Sequence, residues 1–285
     1  MENQVIITAV GDVFPANLSY HRRRGIIGNF LAHNGSIWYD DLCKIFSGSD
    51  ISMINLEAPI LPDSIFDASM TFAGNENFIS FLKKVGINVI NVANNHILEY
   101  GKQGFLNTVQ TIHNNDINVI GINNSHSIFS LYKNNIKISI TAFNDIHDIM
   151  NPSLYQNYSP QAVFRCLEEM KDADFKILVF HWGNEYINIP SYEQIQNAKE
   201  YIDAGANIII GHHPHVIQPI MEYKNGIICY SLGNCLFDMT YRKNVQTGMV
   251  VKFLLEKGLK PMYQVNGIYI NKNFTPVIME SDDFN

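Results

Sequence analysis

The chain has 285 residues, 46% of them hydrophobic and 16% charged, which is enough to bury one large α/β core. Its net charge of −7 argues against a dedicated nucleic-acid binder, which needs a basic face. It does not exclude an anionic substrate, because a metal ion supplies local positive charge. Cys43, Cys166, Cys229 and Cys235 are widely spaced, so neither a disulfide framework nor a zinc knuckle is expected, and the thiols read as buried and free. No basic n-region with an apolar h-region and no transmembrane-length apolar span occurs, so the expectation is a soluble, cytoplasmic chain.

In chain order, Val5 to Val10 predicts a buried strand that ends at Gly11-Asp12. Asp12 is either a metal ligand or the N-cap of an ensuing turn or helix. The basic run His21-Arg22-Arg23-Arg24 is either an anion contact or a solvated loop. A short helix is predicted from Asp41 to Gly48. A second strand, Asp50 to Glu57, ends in Asn55 and Glu57, which share a face if the chain is still extended. Leu61 to Asn75 lacks periodicity and reads as a long loop over the site.

The stretch from Asn77 to Val85 has helical spacing, and Asn88 to Ala93 is a strand followed by Asn94-Asn95-His96. Gly104 to Asn114 is a helix and Ile117 to Gly121 a strand. This alternation predicts βαβ units and a largely parallel sheet. Ile136 to Phe143 is a further strand, and Asn144 to Tyr158 an irregular loop carrying His147 and Asp148. Pro160 to Asp172 is a helix, and Lys176 to Trp182 a strand that delivers His181. Tyr192 to Ala204 is a helix stopped by Gly205. Asn207 to Ile210 is a strand that releases His212, His213 and His215, and Gly226 to Ser231 is a strand leading to Asn234. Two antiparallel strands, Met249 to Glu256 and Tyr263 to Ile270, follow. No linker interrupts the chain, and one domain over 1–285 is expected.

Five strand ends thus carry ligand-type groups: Asp12, Glu57, Asn95-His96, His181 and His213/His215. A lone histidine at such a place is usually structural, but five strand ends doing the same thing predict a site at the carboxyl edge of the sheet. The mixed nitrogen and oxygen donors suit Mn, Fe, Zn or Mg better than a thiolate-loving metal. If the loop is extended, His213 and His215 share a face and His212 turns away from them.

The segments Gly11-Asp12, Asn55 to Pro59, Ala93 to His96, His181 to Tyr186, Asp203 to Asn207, Gly211 to His215 and Ser231 to Asn234 resemble, in order, the motifs of the CapA family. This is the bacterial capsule or poly-γ-glutamate synthesis family, a branch of the calcineurin-like metallophosphoesterases, and the resemblance spans roughly residues 4–240. It implies a four-layer α/β/β/α sandwich. It also implies metal ligands at Asp12, Glu57, Asn95, His181, His213 and His215, with His96 as the acid that protonates a leaving group. His212 would support that set. Glu185 would be a base or a partner of His181. Asn234 would orient a ligand or the substrate, or else stabilise its own turn.

Two positions depart from the superfamily pattern. Phe14 stands where a histidine is usual, and Glu57 replaces a shorter bridging aspartate. One metal position is therefore short of a ligand, and one or two divalent ions (Mn, Fe or Zn) are expected. The implied activity is metal-dependent hydrolysis of an anionic cell-envelope polymer or a phosphorylated precursor. The alternative is a non-catalytic component of a capsule-polymer synthesis complex, with other capsule-synthesis proteins as partners. Tyr241-Arg242-Lys243 is either a contact for that polymer or an ordinary polar loop.

Overall fold

The computed structural model describes residues 4–123, 127–147 and 153–279. In the first half, β1 (Gln4–Val13), α1 (Ile26–His33), α2 (Ser36–Phe46) and β2 (Ile51–Leu56) lead to the two-residue strands β3 (Ile60–Leu61) and β4 (Gly74–Asn75). Next come α3 (Glu76–Lys84), β5 (Val89–Asn91), α4 (Gly101–Asn114) and β6 (Asn118–Ile120). The second half contains β7 (Ile128–Lys133), β8 (Ile136–Asn144), α5 (Pro160–Glu169), β9 (Phe175–His181), α6 (Tyr192–Asp203) and β10 (Ile208–His212). It continues with β11 (Ile220–Tyr223), β12 (Gly226–Cys229), β13 (Asn234–Leu236), β14 (Thr247–Glu256), β15 (Met262–Ile270) and β16 (Pro276–Ile278).

The helix starts follow from side chains that satisfy orphaned amides. Asn75 accepts from the Phe78 amide at the head of α3. Ser159 caps α5 with Pro160 in the first turn, and Ser191 and Gln194 form a reciprocal capping box on α6.

One sheet has the order β16-β15-β14-β1-β2-β5-β6, with β13 pairing on β1; the other has the order β11-β12-β10-β9-β8-β7. Within them β1-β2-β5-β6 and β8-β9-β10-β12 run parallel. The sheets face each other across one core: Val5, Ile7 and Ala9 of β1 pack in the same cluster as Ile138 and Ile140 of β8, Ile177 and Val179 of β9, and Ile208 and Ile210 of β10. On the outer face of the first sheet, Phe30, Trp38, Phe78 and Phe81 of α1–α3 close a second cluster. On the outer face of the other, α5 and α6 cover Phe180 and Ile209. This is the expected α/β/β/α sandwich.

It also explains the unbroken Ile208-Ile209-Ile210 run. Ile208 and Ile210 enter the inter-sheet core while Ile209 enters the helix layer, so a strand buried on both faces needs no polar alternation. Each such burial stabilises by about 1.5–3 kcal/mol.

The differences from expectation lie at the margins. The helix expected over 41–48 is α2, which begins earlier, at Ser36, and ends at Phe46; α1 before it was not expected, and the two are divided where Asn34 and Gly35 adopt positive φ (51° and 72°). The edge strands β7 and β11 and the short β13 and β16 were not expected. β7 and β11 are exposed or half-buried along most of their length and leave little periodic signal. Asp148, in the expected irregular loop, lies outside the described residues. Cys166, Cys229 and Cys235 are buried, Cys43 is half-buried, and all four are free. Among the described residues no helix is long and apolar enough to cross a membrane.

Candidate metal centre

Parallel strands put their carboxyl ends on one edge, and two stacked sheets bring two such edges together. The register does the rest. Asp12 pairs opposite Asn55 on β2 and Asn234 on β13, Asn55 opposite Asn91, and His181 opposite His212. Asp12, Glu57, His181 and Asn234 are fully buried; His212 and His215 are each 1% exposed and His213 6%.

Asp12 is the hub. Its Oδ1 accepts from His212 Nδ1 at 2.8 Å and Asn55 Nδ2 at 2.9 Å, and its Oδ2 from the His213 amide at 3.3 Å, with His215 Nδ1 at 3.5 Å. Glu57 Oε1 lies 3.4 Å from His215 Nε2 and 4.0 Å from His181 Nε2. His181 Nε2 donates to Asn95 Oδ1 at 2.8 Å. One ligand atom from each of Asp12, Glu57 and His181 can be chosen so that all lie within 4.8 Å of one another.

The electrostatics suit a cation. Burial alone would raise the Asp12 pKa, but hydrogen bonds from His212 and His215 outweigh it and hold Asp12 well below the carboxylate range. Glu57 is pushed well above that range, first by burial and then by the charges of Asp12 and Glu185. Burial, then His213, holds His181 well below the ordinary imidazole value, and burial, then His215, lowers His213 to about 4. The neutral imidazole is the form that ligates. Among the described residues, Glu57 Oε1 and His213 Nδ1 are buried with no hydrogen-bond partner. Buried polar atoms are rarely left so, since each costs about 1–3 kcal/mol. Two orphaned donor atoms beside a second buried carboxylate fit a divalent ion held by nitrogen and oxygen donors.

The structure brings Asp12, Glu57, Asn95, His181, His213 and His215 into one cluster. His96 sits at its rim, stacked on Phe72 at 4.8 Å, with Nδ1 held by Glu99 Oε1 at 2.8 Å. Phe72 belongs to the loop expected to lie over the site. Asn234 is fully engaged: its Oδ1 accepts from His215 Nδ1 at 3.0 Å and its Nδ2 donates to the Val245 carbonyl at 2.9 Å, so it positions His215. Glu185 is exposed and acts on Glu57 and His213 through its charge.

His212 does not turn away as extended geometry would have it. β10 ends at His212, and the backbone then bends with φ of 98° at His213 and 56° at His215, so all three imidazoles reach the cluster. Such φ values cost on the order of 1–3 kcal/mol at a non-glycine residue and are concentrated at functional sites. Asn91 and Asn94 are further contributors, to which the sequence alone assigns no role. They donate to Asn55 Oδ1 at 3.0 and 3.2 Å and so aim the Asn55 amide at Asp12. Their only sequence signal is an asparagine within or just after an apolar strand.

Phe14 lies buried in an aromatic wall, stacked on Phe237 at 4.6 Å and edge-on to Phe72 at 5.3 Å, while Phe237 in turn touches His215 at 4.9 Å. Gly211 is where the histidine loop passes closest to its neighbours. A methyl there would lie 1.9 Å from the Tyr230 carbonyl oxygen and 2.5 Å from Trp182 Nε1, whose own 2.9 Å bond to that oxygen pins β9. Gly211→Ala is therefore expected to lower the melting temperature by several degrees and to weaken metal binding, measured by thermal melts with and without Mn. An unchanged melt would mean that the loop has slack the structure does not show.

The two facing sheets, with a buried acid–imidazole cluster at their common edge, make a metallophosphoesterase-like fold. Residues 6–239 match the family model described as bacterial capsule synthesis protein PGA_cap, and the chain belongs to that family. Among its relatives, the capsule biosynthesis protein CapA of Bacillus anthracis is 32% identical over 231 residues, covering 74% of this chain and 56% of that protein. The PGA biosynthesis protein CapA of Bacillus subtilis (strain 168) is 31% identical over 252 residues, covering 84% and 66%. The chain thus spans between half and two thirds of these relatives' length. Among solved structures, a hypothetical protein from Thermus thermophilus superposes with a TM-score of 0.58 at 13% identity, over 92% of this chain and 99% of that one. The 5'-nucleotidase from Candida albicans SC5314 superposes at 0.53 and 15% identity, over 95% and 53%. At these identities both speak to the fold alone.

Proposed function

We propose that this chain is a metal-dependent hydrolase that acts, within capsule or poly-γ-glutamate synthesis, on an anionic cell-envelope polymer or its precursor at a phosphoester or γ-glutamyl amide bond. The observation that carries the reading is the pair of orphaned buried atoms, Glu57 Oε1 and His213 Nδ1, beside the Asp12 carboxylate. Asp12, Glu57, Asn95, His181, His213 and His215 would hold the ion, whether Mn, Fe or Zn. When bound, such an ion supplies an activated water and polarises the oxygen of the bond to be cut.

The other residues have parts of their own. Glu99 holds the His96 ring through Nδ1 and would balance the charge of its imidazolium form, whose Nε2 proton would go to the leaving group and leave a neutral ring behind. Asn234 holds His215 in one orientation. The core shared by the two sheets supports reading the chain as one domain. A second reading, a non-catalytic component that works with other capsule-synthesis proteins, is favoured by Phe14, which supplies packing where a ligand would be expected.

The test is metal analysis of purified protein supplied with Mn, Fe or Zn, together with hydrolysis of a generic phosphodiester and a γ-glutamyl oligomer. Stoichiometric metal and metal-dependent turnover are expected. His96→Gln is expected to keep the metal and lose roughly 100-fold or more in rate. Bound metal with no turnover on either substrate favours the second reading, and absence of metal removes the hydrolase.

A further inference from the structure

Two basic stretches that take no part in the metal centre meet beside it. Tyr20, His21, Arg23 and Arg24, with Ser69 and Thr71, line a cavity of about 830 Å³. The Tyr20 hydroxyl and His21 Nε2 both donate to the Asp238 carbonyl, at 3.2 and 2.7 Å, across 218 and 217 positions of sequence. These bonds bind the loop before α1 to the loop that carries Tyr241, Arg242 and Lys243.

The Arg242 guanidinium sits 5.3 Å from the centre of the Tyr186 ring and 5.9 Å from that of Tyr241. The Tyr241 ring lies 6.4 Å from Tyr20, at the cavity, and the Tyr186 ring 6.3 Å from His215, at the candidate centre. On the other wall Thr71 lines the cavity, and its neighbour Phe72 stacks on His96. Cavity and centre are therefore joined by aromatic side chains on two sides.

The charge at this rim runs against the −7 of the whole chain. Arg23 faces Asp67 at 3.5 Å with both side chains exposed, a pair that leaves the guanidinium available. Arg24, Arg242 and Lys243 join none of the ion pairs seen among the described residues. The Asp238 carboxyl is buried and turned inward onto the Leu18 amide at 3.0 Å. Guanidinium forks match carboxylates in geometry, and tyrosine faces accept the methylene segments between them. The volume suits several units of a chain.

We propose that this cavity is an anion subsite, with Arg24 on its wall and Arg242 on the aromatic bridge between it and the centre, that holds carboxylates of an anionic chain a few units away from the bond placed at the metal centre. The proposal rests on the hydrolase reading for what occupies that centre. It makes recognition depend on chain length: a short anion occupies the centre alone, and a longer one engages both.

Calorimetric titration of the full chain in Mn tests this with a γ-linked glutamate hexamer, the corresponding dimer, a neutral glutamine hexamer and polyphosphate of similar length. The wild type is expected to bind the glutamate hexamer at least about tenfold more tightly than the dimer or the neutral hexamer. Combined Arg24→Glu and Arg242→Glu substitutions, both on the exposed rim, are expected to abolish that advantage while Mn and inorganic phosphate bind as before. Arg24→Lys and Arg242→Lys should restore part of it. Equal binding of hexamer and dimer by the wild type, or an advantage that survives charge reversal, overturns the subsite. Tighter binding of polyphosphate than of the glutamate hexamer overturns its assignment to carboxylates. Failure of the wild type to bind Mn would instead remove the hydrolase reading, and the hexamer comparison without metal would still decide the subsite.

Discussion

Glu57→Gln is expected to make the metal-free protein more stable and to remove its response to metal. Glu57 is fully buried beside Asp12, and its Oε1 has no hydrogen-bond partner among the described residues. A glutamate in an unfolded chain titrates at about 4.3. In the fold, burial first and the Asp12 charge second raise it well above that. The stability tied to this group is thus fully present below the unfolded value and is lost as pH rises toward the folded one. Near neutral pH the metal-free wild type bears that cost and the glutamine variant does not.

The variant should melt about 2–4 °C higher in chelator near neutral pH, for a gain on the order of 1 kcal/mol in a chain of this size. The difference should vanish below about pH 4. With Mn added, the order should reverse, because loss of a charged ligand lowers metal affinity by roughly 100-fold or more. A variant that is less stable in chelator, or that Mn stabilises as much as wild type, would remove Glu57 from the centre. The result would also place the site among those where stability is given up for function.

Phe14→His, the second large effect, is expected to cost about 2–3 kcal/mol in the absence of metal. The substitution breaks the stack on Phe237 and the edge contact with Phe72, and it places a polar ring in an apolar wall. Position 14 comes two residues after Asp12, just past the end of β1, so the new imidazole arises in the aromatic wall that touches His215. Excess Mn should recover part of the lost stability and raise the number of bound ions per chain, measured by calorimetry and metal analysis. Loss of stability without recovery would mean that residue 14 serves packing alone and that the cluster has no room for a second ion beside it.

Much of this protein was legible in its residues. Ile208-Ile209-Ile210 and Lys176 to Trp182 announce strands buried on both faces, and Gly11-Asp12, Asn95-His96 and His213-Pro214-His215 announce polar groups at strand ends. These features are visible because burial and periodicity are local: a side chain's neighbours two and four positions away determine which face of a strand it can occupy. Legibility fades where local pattern and packing part company. β7 and β11 lie at sheet edges, where half of each strand faces water and the apolar signal is diluted.

What the amino-acid sequence determined by itself was the kind of chemistry: carboxylates, amides and imidazoles released at the ends of parallel strands, in a chain with enough apolar surface to bury them. What only the tertiary structure decided was how those groups meet. The register that sets Asp12 against Asn55 and Asn234, and the positive φ values that turn His213 and His215 inward, exist only once the two sheets are stacked. The same is true of the aromatic wall that accounts for Phe14 and of the approach of Tyr241 to Tyr20. Contacts across more than two hundred positions are selected by the packing of whole layers, and no local pattern records them.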